Sequence, residues 1–508
     1  MPVKRQSIRS GFTWSWLALA GLMLCARGAR PHASGAEILN PGPVQWSAEE
    51  DHRRMQELLG IRRLRPGPVP QPGRTNSANY EEARANLFSD LPDPLRMKDG
   101  RRVTTAEMWW RERRPEIVED FEREIYGRIP RQVPVVRWEV HTQVVDRVVA
   151  GIPVRATRLV GRVDSSICPM IEVNLRLTVV TPLRAEARVP VLIMFGAFGW
   201  DGFPRRPDEP PLTNRWAGLG GGPFRDPPST EQLITAGWGY AVLDPTSVQA
   251  DDGAGLTRGI IGLVNCGRPR HPEDWGTLRA WAWGVARVMD YLETDPCVDA
   301  RKVGVEGVSR FGKAALVAMA FEPRLAVGLI GSSGAGGASL LRRNFGETVE
   351  NLVSPGAYHW FAGGFLKYAA EDAVFGRRDA SDLPVDAHQL IALCAPRPVF
   401  LSYGVPEKGD ALWLDQRGSF MAAVAAGPVY RLLGARDLGV TENYRTAPMP
   451  PVNAGLLEGH LAWRQHDGGH ETRSNMKHFL AWAERWGIKG AKRSQLDATT
   501  VPPSSIQK

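Results

Sequence analysis

Apolar residues follow two different spacings along the chain, and the change falls near Arg188. Before it, three segments alternate apolar and polar residues: PVVRWEVHTQVV, VRATRLVGRV and IEVNLRLTVVTP. This alternation is typical of half-buried antiparallel strands. After it come short, continuously apolar runs: VPVLIMFGAFG, GYAVLDP, KVGVEGVS, LAVGLIGSSG and RPVFLSYG. Such runs indicate strands that are buried on both faces of a parallel sheet.

Segments of helical length separate these apolar runs, among them WGTLRAWAWGVARVMDYLET and Lys313–Phe321. Strands that alternate with helices predict right-handed crossovers and a wound α/β sheet, with active-site loops at the carboxyl ends of the strands. Further upstream, Thr104 and Thr105 with Glu107 close behind form a capping pattern. The apolar spacing that follows predicts one or two helices.

Both ends of the chain differ from this central part. Residues 1–36 combine a basic start, an apolar stretch of about 14 residues, too short for a comfortable membrane span, and small residues near Ala36. They predict a signal peptide, and therefore a secreted or periplasmic protein without a membrane span. Residues 37–94 read as a Pro/Arg-rich extension, 95–487 as the main domain, and 488–508 as a polar, disordered tail.

Composition narrows the class of protein and its partners. With 43% hydrophobic and 23% charged residues among 508, the chain is globular. The net charge of +8 comes from scattered arginines, which argues against a nucleic-acid partner and suits an acidic polysaccharide. Removing the signal peptide leaves four cysteines and no C-x-x-C pair, so neither a disulfide framework nor a metal or other cofactor site is expected. We expect a monomer.

The segment VGVEGVSRFGKAALVAMAF places Ser309 between a strand and a helix. This is the position of the nucleophile elbow in α/β-hydrolases, and Gly307 and Gly312 allow a sharp turn there. Phe311 occupies the place of the second glycine in G-x-S-x-G. The alternative is that Ser309 simply caps the helix.

A serine nucleophile needs a base, and the base needs a carboxylate that orients it. His470, in DGGHETR near the C-terminus, follows Ser309 in the order Ser, acid, His. His466 is the nearest rival, whereas His359 in AYHWF is expected to pack beside aromatic residues.

A long stretch of the chain resembles the glucuronoyl esterases of carbohydrate esterase family 15. The likeness runs from about Leu95 to Trp486, and its most specific parts are GVSRFGKAAL, SSGAGGASL, LPVDAHQLIALCAPRPVFLS and DGGH. The resemblance implies an α/β-hydrolase fold, a three-layer sandwich with a mostly parallel central sheet and an antiparallel N-terminal strand region. It also implies cleavage of esters between 4-O-methyl-glucuronic acid on xylan and lignin alcohols. Another carbohydrate or small-ester esterase, or a non-catalytic carbohydrate-binding relative, are the alternatives.

The resemblance also implies roles for individual residues. Ser309 would be the nucleophile and His470 the base, while Arg310 and a backbone N–H would stabilise the oxyanion. Three further family positions would bind the uronate: Lys313, Glu347 and Trp413. Each has a plainer alternative: a solvated helix residue for Lys313, a partner of Arg342 or Arg343 for Glu347, and a packing residue for Trp413.

The chain departs from the family pattern at the acid. Many members carry a glutamate just before SGAGG, where this chain has Ser332. Other bacterial members use an aspartate after the next strand, shortly before a tryptophan, and SYGVPEKGDALWLD offers Asp410 there. Glu407 and Asp415 are rivals for the same role.

Overall fold

The computed structural model describes residues 42–86, 88, 90–196, 202–204 and 226–492. The predicted signal peptide and most of the predicted tail lie outside these residues. The strands are β1 (Ile61–Leu64), β2 (Val136–Val149), β3 (Ile152–Val163), β4 (Asn174–Pro182), β5 (Val189–Phe195), β6 (Gly239–Leu243), β7 (Val298–Val308), β8 (Val327–Gly331), β9 (Ala370–Ala373), β10 (Val399–Tyr403), β11 (Gly455–Leu456) and β12 (Leu461–Gln465).

The helices are α1 (Ala48–Leu59), α2 (Ala106–Met108), α3 (Arg114–Phe121), α4 (Ser229–Thr235), α5 (Gly259–Val264), α6 (Thr277–Leu292), α7 (Arg310–Phe321), α8 (Val349–Leu352), α9 (Ala387–Cys394), α10 (Gln416–Leu432) and α11 (Arg473–Arg485). π-Helical turns follow α2 and α3, so that residues 106–126 form one helical run. The side chain of Thr105 caps this run by accepting a hydrogen bond from the Met108 N–H, as the capping pattern predicts.

Ten strands form one sheet in the order β11-β12-β10-β8-β7-β5-β6-β4-β3-β2. The neighbours from β12 to β6 run parallel to one another. Strands β2, β3 and β4 extend this parallel core as antiparallel neighbours. The alternating segments before Arg188 are therefore the antiparallel strands, and the continuous apolar runs are the parallel ones, as predicted.

Helices cover both faces of the parallel core. On one face α6, α7, α9 and α10 bury the larger apolar cluster, in which Val303 and Val305 of β7 lie beneath the helices. On the other face α4 and α11 pack over Leu329 and Phe400. Successive residues of a strand point to opposite faces, so strands covered on both sides need apolar residues at nearly every position. This is the mostly parallel three-layer sandwich expected from the sequence.

Residues 42–94, which lack a sustained apolar period, contain more regular structure than their pattern indicates. Ser47 and Glu50 form a capping box at the start of α1, and Gly60 ends that helix in the left-handed conformation. Strand β1 pairs with β9 in a separate two-stranded sheet. Long-range pairing of this kind leaves no local period in the sequence, which is why the strand was not predicted, whereas the Ser47–Glu50 box and Gly60 are local signals for α1 that the sequence analysis did not use.

No helix in the described part of the chain is both long and apolar enough to cross a membrane.

Candidate active site

Ser309 lies at a sharp turn between β7 and α7. Its backbone has φ 61° and ψ −129°, a conformation that non-glycine residues rarely adopt and that typically costs about 1–3 kcal/mol. Within the described residues its side chain makes no capping hydrogen bond to the helix, which disfavours the plain N-cap interpretation. A Cβ atom at Gly307 would lie 2.2 Å from the Phe311 carbonyl oxygen, so the turn requires glycine at that position.

The side chain of His470 is held by Asp410. His470 Nδ1 and Asp410 Oδ1 are 2.8 Å apart. Because a carboxylate only accepts, Nδ1 carries the hydrogen and Nε2 is left as the acceptor. Asp410 is 1% exposed, whereas the His470 side chain is 29% exposed. Because Nδ1 is engaged with Asp410, Nε2 is the nitrogen that can take a proton.

Three further donors fix the Asp410 carboxylate. Its Oδ2 accepts 2.8 Å hydrogen bonds from the Ser332 hydroxyl and the Gly404 N–H. Its Oδ1 also accepts from the Ala411 N–H at 3.1 Å. Ser332, at the position of the family glutamate, thus donates to the acid on the neighbouring loop.

Neither rival acid is bonded to His470 in this way. Glu407 is exposed in the turn Pro406–Lys408. Asp415 is buried, accepts from the Gly418 N–H at the start of α10, and pairs with Arg343 at 2.8 Å. Both carboxylates therefore occupy other surroundings.

The rival histidines are also committed elsewhere. His466 is 1% exposed and lies 2.9 Å from the Glu471 carbonyl oxygen, and burial lowers the pKa of its imidazole. His359 packs beside aromatic residues as predicted, with its ring centroid 5.5 Å from that of Trp360.

Strands β7, β8, β10 and β12 are neighbours in the sheet, and their carboxyl ends bring the separate segments together. The Ser309 N–H donates to the Gly331 carbonyl at 3.0 Å, and a Cβ on Gly331 would lie 2.5 Å from Thr472 Cγ2. Ser332 follows Gly331 and bonds Asp410. The serine turn, the acid loop and the histidine loop therefore converge on the end of β8.

Arg310, next to Ser309, is oriented by a residue that the sequence analysis missed. Its Nη1 donates to Asp251 Oδ2 at 2.6 Å, and its guanidinium lies over the Trp360 ring, 5.3 Å from the centroid. Asp251 Oδ1 lies 2.6 Å from Trp360 Nε1 and 3.1 Å from His359 Nε2. Burial alone would raise the pKa of Asp251, but these hydrogen bonds and Arg310 outweigh it and hold the pKa well below its usual range.

Lys313 and Glu347 form a buried pair. Lys313 is 2% exposed, so the solvated-helix alternative is wrong. Its Nζ donates to Glu347 Oε2 at 2.9 Å and to the Ala335 carbonyl at 2.5 Å. Glu347 thus pairs with Lys313 and not with the neighbouring arginines. An ammonium has three donors, so one remains for a bound molecule.

Trp413 is half-buried in the turn Leu412–Leu414, and its loop joins the Glu347 loop through the backbone. The Glu347 N–H donates to the Trp413 carbonyl at 2.9 Å. At Gly346, with φ 62°, a Cβ would lie 2.2 Å from the same carbonyl oxygen, so only glycine fits. The loop that carries Glu347 and the loop that carries Trp413 are therefore in direct backbone contact.

A buried carboxylic acid lies behind the serine turn. Glu306 on β7 is 5% exposed and accepts a hydrogen bond from the Thr472 hydroxyl. Burial raises the pKa of Glu306 to about 7, although the hydrogen bond from Thr472 opposes this shift. Its only sequence signal is a charged residue inside an apolar run, which the sequence analysis did not use.

A strained serine turn at the carboxyl end of a parallel strand, beside a histidine held by a buried aspartate, is the arrangement of the α/β-hydrolase class. Comparisons with known proteins make the class specific. A family model for glucuronyl esterases of fungi matches residues 270–434. Carbohydrate esterase MZ0003, from an unknown prokaryotic organism, is 33% identical over 442 residues, which cover 82% of this chain and 93% of that protein.

Solved structures agree with this match. The CE15 glucuronoyl esterase from Teredinibacter turnerae is 40% identical, with a TM-score of 0.75, and the match covers 87% of this chain and 100% of that chain. The glucuronoyl esterase from Solibacter usitatus is 30% identical, with a TM-score of 0.66 and coverage of 79% and 99%. The chain belongs to carbohydrate esterase family 15, the glucuronoyl esterases. It is a carboxylic-ester hydrolase for esters of glucuronic acid, and the resemblance identified in the sequence is confirmed.

Proposed function

We propose that Ser309, His470 and Asp410 act as the catalytic triad of this esterase. His470 Nε2 removes the proton from Ser309 Oγ as the oxygen attacks the ester carbonyl carbon. Collapse of the tetrahedral intermediate breaks the bond to the alcohol, which leaves with the proton from His470. Water then attacks the acyl-enzyme with the same base, and releases glucuronic acid and free Ser309.

The single observation that carries this proposal is the hydrogen bond between Asp410 and His470 on loops that meet the Ser309 turn. Asp410 fixes the tautomer in which Nε2 accepts, and its charge stabilises the imidazolium that forms. Its four hydrogen bonds hold it in one orientation while the proton moves.

Arg310 is proposed to stabilise the oxyanion together with a backbone N–H. One guanidinium nitrogen is used by Asp251, which leaves the rest of the planar fork for the developing negative charge. A fixed donor of this kind typically increases the rate by a factor of about 10²–10³. Pairing with Asp251 fixes the direction of the fork before substrate arrives.

The uronate ring is proposed to bind at Lys313, Glu347 and Trp413. The remaining Lys313 proton and the Glu347 carboxylate suit ring hydroxyls, and an aromatic face suits the apolar side of a sugar. We propose as substrate the esters that join 4-O-methyl-glucuronic acid on xylan to lignin alcohols, as the family resemblance implies. The N-terminal segment supports export to the periplasm or the medium, and we propose that the exported enzyme is a monomer.

Hydrolysis of benzyl glucuronate by the purified mature protein tests this function. We expect turnover that Ser309→Ala abolishes, while Ser381→Ala, at an exposed serine, leaves it unchanged. Acetylated xylan is the comparison substrate. Faster release of acetate than of benzyl alcohol would reassign the protein to another esterase activity, and turnover of glucuronate esters by Ser309→Ala would overturn the nucleophile.

A further inference from the structure

The N-terminal segment packs directly against the loop that carries Glu347. The Gly346 N–H donates to the Asn79 carbonyl at 3.0 Å, and the Asn344 N–H donates to the Ala85 carbonyl at 2.7 Å. Asn79 Nδ2 returns a 2.6 Å hydrogen bond to the Asn344 carbonyl. We refer to residues 79–86 as the strap.

Arg343 connects the strap to the Trp413 loop. Its side chain is 2% exposed, and its Nε donates to Asp415 Oδ2 at 2.8 Å. Its Nη2 donates to both Glu82 carboxylate oxygens at 2.9 and 3.1 Å, and its Nη1 donates to Asn86 Oδ1 at 3.1 Å. A buried guanidinium is thus shared between two carboxylates from distant parts of the chain.

This arrangement fixes one end of each loop. Asp415 closes the Trp413 turn and caps α10, while Arg343 begins the segment that leads to Glu347. Because the Glu347 N–H also bonds the Trp413 carbonyl, a shift of Arg343 would move both loops. The planar guanidinium of an arginine holds its donors in a fixed geometry, which the flexible ammonium of a lysine does not.

We propose that Glu82 and Arg343 are positioning residues for the uronate site, and that the strap sets the affinity of the enzyme for the sugar. This rests on the proposed roles of Glu347 and Trp413. Neither Glu82 nor Arg343 takes part in the chemistry at Ser309. Loss of the Glu82 contact therefore weakens substrate binding and leaves the chemical step intact.

Glu82→Ala tests the proposal, with Glu81→Ala as the matched control. Glu81 is the adjacent exposed carboxylate and pairs with Arg84 on the surface. We expect Glu82→Ala to raise KM for benzyl glucuronate about two- to fivefold, the range for an ion pair with one exposed partner, with kcat unchanged. In the Ser309→Ala background, calorimetry should show the same two- to fivefold rise in Kd for benzyl glucuronate. Asn86→Ala should give a smaller rise in KM and Kd.

Two results would overturn the proposal: a KM and Kd for Glu82→Ala equal to those of Glu81→Ala, or a fall in kcat that matches the rise in KM. The proposed function is judged separately, by Glu347→Gln. If Glu347→Gln weakens sugar binding and Glu82→Ala does not, only the strap proposal fails. If neither does, the uronate site lies elsewhere.

Discussion

Ser309, Asp410 and His470 each follow closely after a strand of the parallel core, whereas Glu347 and Trp413 lie on loops held by other loops. The first group is positioned by backbone geometry: a strained turn, neighbouring strand ends and N–H donors to the acid. The second has one backbone contact, between Glu347 and Trp413, and depends in addition on side-chain charges, namely the Lys313–Glu347 and Arg343–Asp415 pairs. The comparison teaches that reaction chemistry and sugar selection are supported by different interactions, so substitutions should separate them.

The largest effect is expected from the acid. Asp410→Asn should lower turnover by about 10⁴, because an amide cannot fix the histidine tautomer or stabilise the imidazolium. Adding Ser332→Glu should restore part of the activity, since the Ser332 hydroxyl lies 2.8 Å from the carboxylate it would replace. Steady-state kinetics on benzyl glucuronate measures both.

Glu407→Gln is the matched control for the acid, because Glu407 is an exposed carboxylate on the same loop. It should leave turnover near that of the unmodified protein. A nearly silent Asp410→Asn together with a crippling Glu407→Gln or Asp415→Asn would show that Asp410 is the wrong acid.

Arg310→Lys should have the next largest effect. We expect a fall in kcat of about 10²–10³, because an ammonium cannot bond Asp251 and also present a planar fork to the oxyanion. Measured KM for the glucuronate ester should change little. Unchanged kcat would assign Arg310 to structure alone.

Lys313→Ala should act on selection. The ratio of kcat/KM for benzyl glucuronate to that for a simple alkyl ester should fall by the equivalent of about 1–3 kcal/mol, the cost of leaving polar partners unpaired. Because Lys313 and Glu347 form a buried pair, the melting temperature should fall as well. An equal loss on both esters would place Lys313 in folding and not in sugar recognition.

Glu306→Gln should have the smallest effect on rate, and its readout is stability against pH. Burial raises the pKa of Glu306 to about 7, while a carboxyl of an unfolded chain titrates near 4.3. Between these values the unfolded state has released a proton that the folded state retains, so the free energy of unfolding falls as pH rises and levels off above about 7.

Glu306→Gln should remove this part of the pH dependence. The free energy of unfolding of Glu306→Gln minus that of the unmodified protein should be larger at about pH 8 than at about pH 5. The increase should be at most on the order of 3 kcal/mol. Denaturant unfolding at both pH values measures the difference, with exposed Glu57→Gln as control. Equal differences at the two pH values would show that Glu306 titrates normally.

The parallel core followed from sequence because apolar runs mark its strands. A glycine turn and positions after strands made Ser309 and His470 candidates, while Asp410 remained one of three candidate acids. The contacts of Asp251 and Glu82 did not follow from sequence. Asp251 pairs with Arg310, and Glu82 pairs with Arg343, across long separations in the chain. The sequence around a charged residue has no pattern that indicates such a distant partner. One alternative paired Glu347 with Arg342 or Arg343, its neighbours in sequence, whereas Glu347 pairs with Lys313 on another element, and sequence spacing does not indicate that contact.

Gly346 has a consequence for protein engineering. Since no side chain fits between it and the Trp413 carbonyl, the segments around Glu347 and Trp413 constitute a single transferable module. Grafting one of them from a homologue with a different substrate would bring a mismatched surface against the other. A library that exchanges both segments together should therefore yield more folded, active chimeras than libraries that exchange either segment alone.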